Sequence, residues 1–322
     1  MKRRNVYIGM VLIALATSTV FAFLFLNSAR ALPSGLNQFV NPDGAPQYSM
    51  QLYGDFSITL NKPMDVTKTD SFIFVSDTNN KRIVVYDLAG SPLYSFGEQG
   101  KGPGKFNFPY GVTADKESRV FVADMYNGQI SIHDEKGEFI EYFAPKDKKH
   151  KDIFKSPAGL RIIDEKVYVT DIQDSKVYVL SIDGELLQEI GEHGDQEGQF
   201  IAPNAVTADV DGNIYVVDTG NQRVQMFDKD GNFIRVIGSD AMGNSTFVNP
   251  RGIGIDQRGF IYVVSNLTHF VYGFNKDGEQ MFVFGGMGEE NGQMYLPNGL
   301  FIDKQDNVFV TDTLNQRVTM FK

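Results

Sequence analysis

One short sequence pattern returns along this chain at a fixed interval of 47 residues. In each copy, a mostly apolar stretch ends in a polar residue. These six residues are Asp77, Asp124, Asp171, Asp218, Ser265 and Asp312. A spacing that does not drift over five intervals predicts one supersecondary unit repeated six times, each unit packing mainly on its neighbours. The repeat therefore constrains the architecture almost alone.

The fourth copy shows most clearly what one unit contains. Four β-rich runs, 203–209, 214–218, 223–228 and 232–237, are separated by turn residues that include Asp211-Gly212 and Asp230-Gly231. Asp-Gly steps between such runs are strong hairpin signals. The second run is apolar almost throughout, which is typical of a strand buried on both faces. Four antiparallel strands per unit, at this period, predict an all-β fold, the six-bladed β-propeller.

The two ends of the repeat region predict that the ring closes on itself. The sixth copy stops after its third strand, and residues 47–54 match the fourth strand of the other copies. We expect this N-terminal strand to complete the last blade and remove a sheet edge. The predicted propeller spans 47–322, with repeats near 63–108, 109–156, 157–202, 203–249, 250–296 and 297–322 plus 47–54.

Three motifs in these units resemble the NHL-repeat family. Pro109-Tyr-Gly111 opens a unit, the run from Asp218 to Arg223 reads Asp-x-x-Asn-x-Arg after a second strand, and a glycine-rich run ending at Phe106 joins two units. The resemblance covers roughly residues 47–322 and implies four-stranded NHL-type blades. NHL propellers include RNA binders, protein scaffolds, receptor ectodomains and a few lyases, so the resemblance does not choose a function.

The first 46 residues carry a different signal. Residues 1–5 are basic, 6–26 contain no charge, and 27–46 form a linker with three prolines. A helix over 6–26 would span roughly 31 Å, enough to cross the hydrocarbon core as one transmembrane signal-anchor. The basic flank predicts a cytoplasmic N-terminus and an extracytoplasmic propeller, either periplasmic or extracellular, at the cell membrane. Cleavage after Ala31 is the alternative, because small residues suit a signal-peptide site there.

Charge and cysteine content exclude several classes of partner and chemistry. The chain carries −10 overall, and the part after residue 30 carries −14, from 26 basic against 40 acidic residues. A surface of this sign argues against nucleic acid as a partner. The absence of cysteine excludes disulfides and thiol chemistry. The one basic cluster, 146–155, is interpreted as a solvated loop, with contact to anionic lipid or a wall polymer as the alternative.

The recurring carboxylates are predicted to be structural: Asp77, Asp124, Asp171, Asp218 and Asp312. A carboxylate at this point can accept hydrogen bonds from turn amides. In three copies it can also pair with an arginine five residues later, which is Arg82, Arg223 or Arg317. Repetition in nearly every blade favours a structural role, since a binding site requires asymmetry between blades.

Positions at which the copies differ are better candidates for a site. The residue after the opening proline is Met64, Tyr110, Ala158, Asn204, Arg251 or Asn298. Because the first strand of a propeller blade lines the central channel, we expect Tyr110, Asn204, Arg251 and Asn298 to form a polar ring with one cation near one mouth. Such a ring could bind a carboxylate or sugar hydroxyls. The alternative is a channel filled with water.

No catalytic residue and no metal ligand set is predicted. NHL-like enzymes hold zinc with three channel histidines or calcium with Glu, Asn and Asp side chains. His133, His150, His193 and His269 occupy unlike positions in the repeat, which argues against zinc. Oxygen-ligated calcium stays open. We therefore expect a membrane-tethered scaffold or sensor that binds a protein, peptide or glycan. The alternative is a metal-dependent hydrolase or lyase, lactonase-like or amidating-lyase-like, at the central channel.

Overall fold

The computed structural model of this protein describes residues 44–146, 152–239, 243 and 245–322. The chain divides into two units, Met1–Gly44 and Ala45–Lys322, and the second is built from β-sheets. Within the described residues, no helix is long and apolar enough to cross a membrane. The predicted signal-anchor at 6–26 lies outside the described residues.

Six four-stranded antiparallel sheets form the blades of a propeller, as the repeat predicted. The chain begins with β1 (Tyr48–Leu52). Blade 1 contains β2 (Pro63–Lys68), β3 (Ile73–Asp77), β4 (Arg82–Tyr86) and β5 (Pro92–Phe96). A short parallel pair, β6 (Glu98–Gln99) and β7 (Lys105–Phe106), leads to the next blade. Blade 2 contains β8 (Pro109–Ala114), β9 (Val120–Asp124), β10 (Gln129–His133) and β11 (Phe139–Phe143).

The remaining blades repeat this plan. Blade 3 contains β12 (Pro157–Ile163), β13 (Lys166–Asp171), β14 (Lys176–Ser181) and β15 (Leu186–Ile190). Blade 4 contains β16 (Pro203–Ala208), β17 (Ile214–Asp218), β18 (Arg223–Phe227) and β19 (Phe233–Ile237). Blade 5 contains β20 (Pro250–Ile255), β21 (Ile261–Ser265), β22 (Phe270–Phe274) and β23 (Gln280–Gly285). Blade 6 contains β24 (Pro297–Ile302), β25 (Val308–Asp312) and β26 (Arg317–Phe321). One-turn 3₁₀ helices follow three second strands, at Thr78–Asn80, Thr219–Asn221 and Asn266–Thr268.

The hydrophobic core lies between neighbouring blades. Every residue of β9, β17 and β25 is buried, because these second strands are covered on both faces. One cluster joins Phe121 and Ile130 of blade 2 to Leu160 and Val169 of blade 3. The first strands contact one another around the ring, and β24 returns to β2. Burial of apolar area between blades is therefore what stabilises the closed ring.

The N-terminal strand completes the last blade, which confirms the predicted closure. β1 pairs antiparallel with β26, with Leu52 opposite Val318 and Met50 opposite Met320. The Gln47 amide donates to the Lys322 carbonyl oxygen at 2.6 Å, and the Lys322 amide donates back to Gln47 at 2.8 Å. The edge that β26 would otherwise present is thus covered.

We expect Tyr86→Phe to raise the free energy of unfolding by about 1 kcal/mol. The Tyr86 hydroxyl is fully buried and has no hydrogen-bond partner among the described residues, and burial raises its pKa. Phenylalanine fills the equivalent position in blades 4 to 6, so the ring fits without the hydroxyl. Urea unfolding of the full-length chain measures the change. The matched control is Tyr215→Phe, which removes a hydroxyl that donates to Asp209 at 3.1 Å and should be destabilising. A destabilised Tyr86→Phe variant would contradict the prediction.

Stability should fall as the pH drops below about 6.5, in part through His133. This imidazole is fully buried; its Nδ1 donates to the Gly137 carbonyl oxygen and its Nε2 accepts from Ser131. Burial lowers the pKa of His133 in the folded protein. The unfolded chain therefore takes up a proton that the folded chain does not, and the stability present above the unfolded pKa is lost at lower pH. His133→Phe should flatten this slope in pH-dependent unfolding, and an unchanged slope would contradict the assignment.

Candidate functional site

The opening proline of each blade sets up the channel lining. Proline has no backbone N–H to donate, which suits the innermost strand of a sheet. The strand register shifts just after it in every blade, for example between Pro109 and Val112 and between Pro250 and Ile253. The residues within this bulge leave the regular ladder. Their side chains line one central cavity, which includes Met64, Tyr110, Asn204, Arg251 and Asn298.

Tyr110 links two asparagines from other blades across the channel. Its hydroxyl lies 2.5 Å from Asn204 Oδ1 and 2.9 Å from Asn298 Oδ1. The hydroxyl carries one proton, which it can donate to either amide oxygen. All three side chains are buried. The polar ring expected from the sequence therefore brings these residues into direct contact.

Arg251 lies at the same ring, within hydrogen-bonding reach of the Tyr110 hydroxyl. Its Nε is buried and has no hydrogen-bond partner, and none of the described residues forms an ion pair with it. Burial raises the pKa of Tyr110, while the positive charge of Arg251 opposes that rise, so the phenol stays neutral beside the guanidinium. A buried donor without a partner is costly, typically by 1–3 kcal/mol. Among the described residues that line the cavity, Arg251 thus carries a buried donor, Nε, that the fold leaves unpaired.

A second arginine crosses the channel and is fully engaged. Arg161 on β12 makes a bidentate ion pair with Asp65 on β2, at 2.8 and 3.0 Å. It also donates to the Leu300 carbonyl oxygen on β24 at 2.8 Å, so one side chain joins blades 3, 1 and 6. The cavity left between these groups is about 10 Å³, which is room for about one water molecule. We call the Asp65–Arg161 pair the channel tie.

The channel tie was not predicted, although the sequence carries a signal for it. The third position of the opening motif is glycine in four blades and Ala205 in a fifth, but it is Asp65 in blade 1. In the four blades with glycine, adjacent first strands approach closely at this position; a Cβ on Gly299 would lie 2.5 Å from the Met64 carbonyl oxygen. Two positions further on, threonine occurs in three blades and Arg161 in blade 3. Asp65 and Arg161, the two residues that depart from the repeat, carry opposite charges, which indicates an ion pair between them.

The five repeat carboxylates hold each blade to the loop that precedes it. All are buried: Asp77, Asp124, Asp171, Asp218 and Asp312. Each accepts one or more backbone amides from that loop, as Asp77 accepts from Asn61 at 2.6 Å. The arginines pair with them through Nε, at 2.8 Å for Arg82 and Arg223 and 2.7 Å for Arg317. Every oxygen is engaged in the framework, and the carboxylates line no cavity with the channel residues.

The histidines do not converge. His133 is in the core. His193, in the connection after blade 3, hydrogen-bonds to Ser175. His269 stacks on Tyr295 at 5.3 Å and accepts from the Leu296 amide. Residues 147–151, which include His150 and most of the basic cluster, lie outside the described residues. Among the residues that the structure does describe, no group of three or more His, Cys, Asp or Glu side chains is arranged to hold a metal ion.

Comparison with known proteins supports the fold. The profile of a family described as a six-bladed β-propeller (DUF5128) matches residues 201–266. NHL membership itself stays a prediction. Three solved structures share the architecture at low sequence identity. A streptogramin B lyase is 14% identical, with a TM-score of 0.58, over 88% of this chain and 99% of that chain.

Two further structures share the propeller architecture at similarly low sequence identity. A gluconolactonase from Xanthomonas campestris is 16% identical, with a TM-score of 0.63, over 88% of this chain and 96% of that chain. A protein of unknown function from Bacteroides thetaiotaomicron is 12% identical, with a TM-score of 0.63, over 88% of this chain and 74% of that chain. At these identities the likeness shows a six-bladed propeller and does not carry an activity across.

Proposed function

We propose that this chain is a recognition propeller that holds a protein, peptide or glycan at its channel mouth, with Arg251 binding an anionic group of that partner. The observation that carries the proposal is the buried Arg251 Nε, which has no hydrogen-bond partner. A guanidinium presents parallel donors that match a carboxylate in geometry and charge. Because the cavity has room for about one water molecule, a carboxylate on the partner would approach this guanidinium from the channel mouth.

The charges around the cavity favour an anion over a cation. Two guanidiniums, Arg161 and Arg251, line it, and its one carboxylate, Asp65, already makes a bidentate pair with Arg161. One net positive charge therefore remains, on a propeller that is acidic overall. In a partly desolvated channel such a charge interacts more strongly than on the surface.

The proposal is tested by binding of acetyl-Ala-Ala-Gly as the free acid and as the C-terminal amide, measured by calorimetry on the full-length chain. We expect the acid to bind more tightly, and Arg251→Met to weaken acid binding by about tenfold or more. Arg235→Met is the matched control, because Arg235 is an exposed arginine on β19 that pairs with Asp277 on the outside of the ring. Equal binding of acid and amide would contradict the proposal.

The proposed setting is the outer side of the cell membrane, with the uncharged segment 6–26 as a single anchor. This part of the proposal rests on the sequence. N-terminal sequencing of the protein recovered from membranes tests it. A chain that begins at residue 1 supports the anchor, whereas a soluble chain that begins at residue 32 would establish cleavage after Ala31 and contradict it.

A metal-dependent hydrolase or lyase is the second candidate, favoured by the lyase and the gluconolactonase among the structures of this fold. The channel residues do not fit the calcium that such an enzyme would need. The amide oxygens of Asn204 and Asn298 face the Tyr110 hydroxyl, the Asp65 carboxylate is paired with Arg161, and the remaining charge, on Arg251, is positive. Stoichiometric metal in the purified protein, with a melting temperature that falls on chelation, would favour this candidate.

A further inference from the structure

The junctions between blades carry a polar tie at the mouth in four of six places. In blades 1, 4, 5 and 6, the residue after the repeat carboxylate, or after Ser265 in blade 5, donates to the carbonyl oxygen of the next blade's opening proline. The four donors and distances are Thr78 at 2.6 Å, Thr219 at 2.7 Å, Asn266 at 2.8 Å and Thr313 at 2.9 Å. Blades 2 and 3 carry Met125 and Ile172 at this position, so their junctions lack the tie. The exception is confined to one sector of the ring.

The same sector holds a stack of aromatic rings. Tyr126 is 65% exposed and stacks on Phe108, with ring centroids 4.5 Å apart. Phe108 stacks in turn on Tyr110, at 6.2 Å. Met125, Phe108 and Ile172 pack against the buried cluster that contains Tyr110. Apolar side chains therefore run without a break from solvent to the channel ring, and we call Phe108, Tyr110, Met125, Tyr126 and Ile172 the apolar sector.

The apolar sector and Arg251 open on the same face of the propeller. Pro109 pairs with Asp124, and Pro250 pairs with Ser265, so the opening motif and the turn after the second strand lie at the same end of each blade. Tyr126 belongs to that turn in blade 2. Tyr110 and Arg251 line one cavity, and the charge of Arg251 acts on the Tyr110 hydroxyl. The inner end of the aromatic stack, Tyr110, therefore lies beside the Arg251 guanidinium.

We propose that the partner bound at this mouth is the carboxyl terminus of a polypeptide whose last residue is large and apolar. Its carboxylate pairs with Arg251, and its side chain lies on the apolar sector. The proposal rests on the proposed function and adds to it the class of ligand. The apolar sector replaces hydrogen bonds that the other junctions make, and exposed stacked aromatic rings supply contact area at low entropic cost.

Charge complementarity selects this occupant. The part of the chain after residue 30 carries −14, so its overall field disfavours an extended polyanion such as an acidic glycan. The end of a peptide places a single anionic group, its carboxylate, at Arg251. Its last side chain is apolar and carries no charge.

The test compares three probes on the full-length chain by calorimetry: acetyl-Ala-Ala-Phe as the free acid, the same peptide as an amide, and acetyl-Ala-Ala-Gly as the free acid. We expect the Phe acid to bind about tenfold more tightly than the Gly acid, because its ring is buried against the apolar sector. Tyr126→Ser and Met125→Thr should remove most of this preference. Leu314→Ser is the matched control, since Leu314 is the equivalent exposed residue in blade 6 and should leave the preference intact.

The outcomes separate this inference from the proposed function. Equal binding of the two acids, unchanged by Tyr126→Ser, would overturn the role of the apolar sector and leave anion binding by Arg251 standing. Equal binding of the Phe acid and its amide would overturn the role of Arg251 and with it the carboxyl-terminal assignment. Self-association of the chain that Tyr126→Ser abolishes would identify a second copy as the occupant and overturn the peptide proposal. Binding of none of the probes would overturn both proposals.

Discussion

Asp65→Gly and Arg161→Thr, made singly, are each expected to lower the free energy of unfolding by about 3–5 kcal/mol. Each leaves one buried charge of the channel tie without its partner, and the side chains are only 6% and 12% exposed. The two together should be more stable than either single variant, because no unpaired charge remains. Gly and Thr are the residues that other blades carry at these positions, so the double variant restores the ordinary repeat.

Denaturant unfolding of the full-length chain at two salt concentrations measures this cycle. The coupling energy between the two sites should exceed about 2 kcal/mol and change little with salt, since a buried pair is poorly screened. A surface pair provides the control: Lys116 and Glu165 are both more than half exposed, and their cycle should give a much smaller coupling energy that salt weakens further. Additive effects of Asp65→Gly and Arg161→Thr would show that the channel tie does not join the blades.

The second large effect is expected at the closure of the ring. Arg317 is 3% exposed and donates to Asp312 at 2.7 Å, to the Tyr53 hydroxyl at 2.8 Å and to the Glu289 carbonyl oxygen at 2.9 Å. It therefore holds β26, the residue that follows β1, and the loop before blade 6 together. Arg317→Met should lower the free energy of unfolding by about 3–5 kcal/mol, because the Asp312 charge stays buried without its partner.

Because Arg317 holds the closure of the ring, we also expect Arg317→Met to open first at that closure. Limited proteolysis of Arg317→Met should cut first near residues 44–54, because loosening this corner frees the N-terminal strand. Arg82→Met is the matched control: Arg82 pairs with Asp77 in the same way, but it is more exposed and lies in a blade made of consecutive strands. It should cost less and leave the N-terminal strand protected. If both variants lose the same free energy of unfolding, closure of the ring does not make Arg317 more important than Arg82.

The sequence predicted the fold well because the repeat is long and free of drift. The strand plan, the buried second strands, the closure by β1 and the Asp–Arg pairs follow from local patterns that recur in several blades. Comparing copies also identified Tyr110, Asn204, Arg251 and Asn298 as channel residues, because strand order fixes which position faces the axis.

The arrangement within the channel could not be predicted in the same way. Side-chain rotamers across the ring decide whether Tyr110 contacts two asparagines and whether the Arg251 Nε is left unpaired. The channel tie joins residues 96 positions apart, and only the closed ring brings them together. The apolar sector was missed because Met125 and Ile172 look like ordinary strand-end residues until the ties at the other junctions are known.

Anion binding by Arg251 is the central claim, and NMR of the arginine Nε–H groups of the full-length chain tests it most directly. The Arg251 signal is assigned by its loss in Arg251→Lys. When acetyl-Ala-Ala-Phe is added as the free acid, the Arg251 Nε–H signal should move strongly in the direction of a new hydrogen bond, while the amide of the same peptide should leave it in place. A signal that stays unmoved while the acid demonstrably binds would contradict the account.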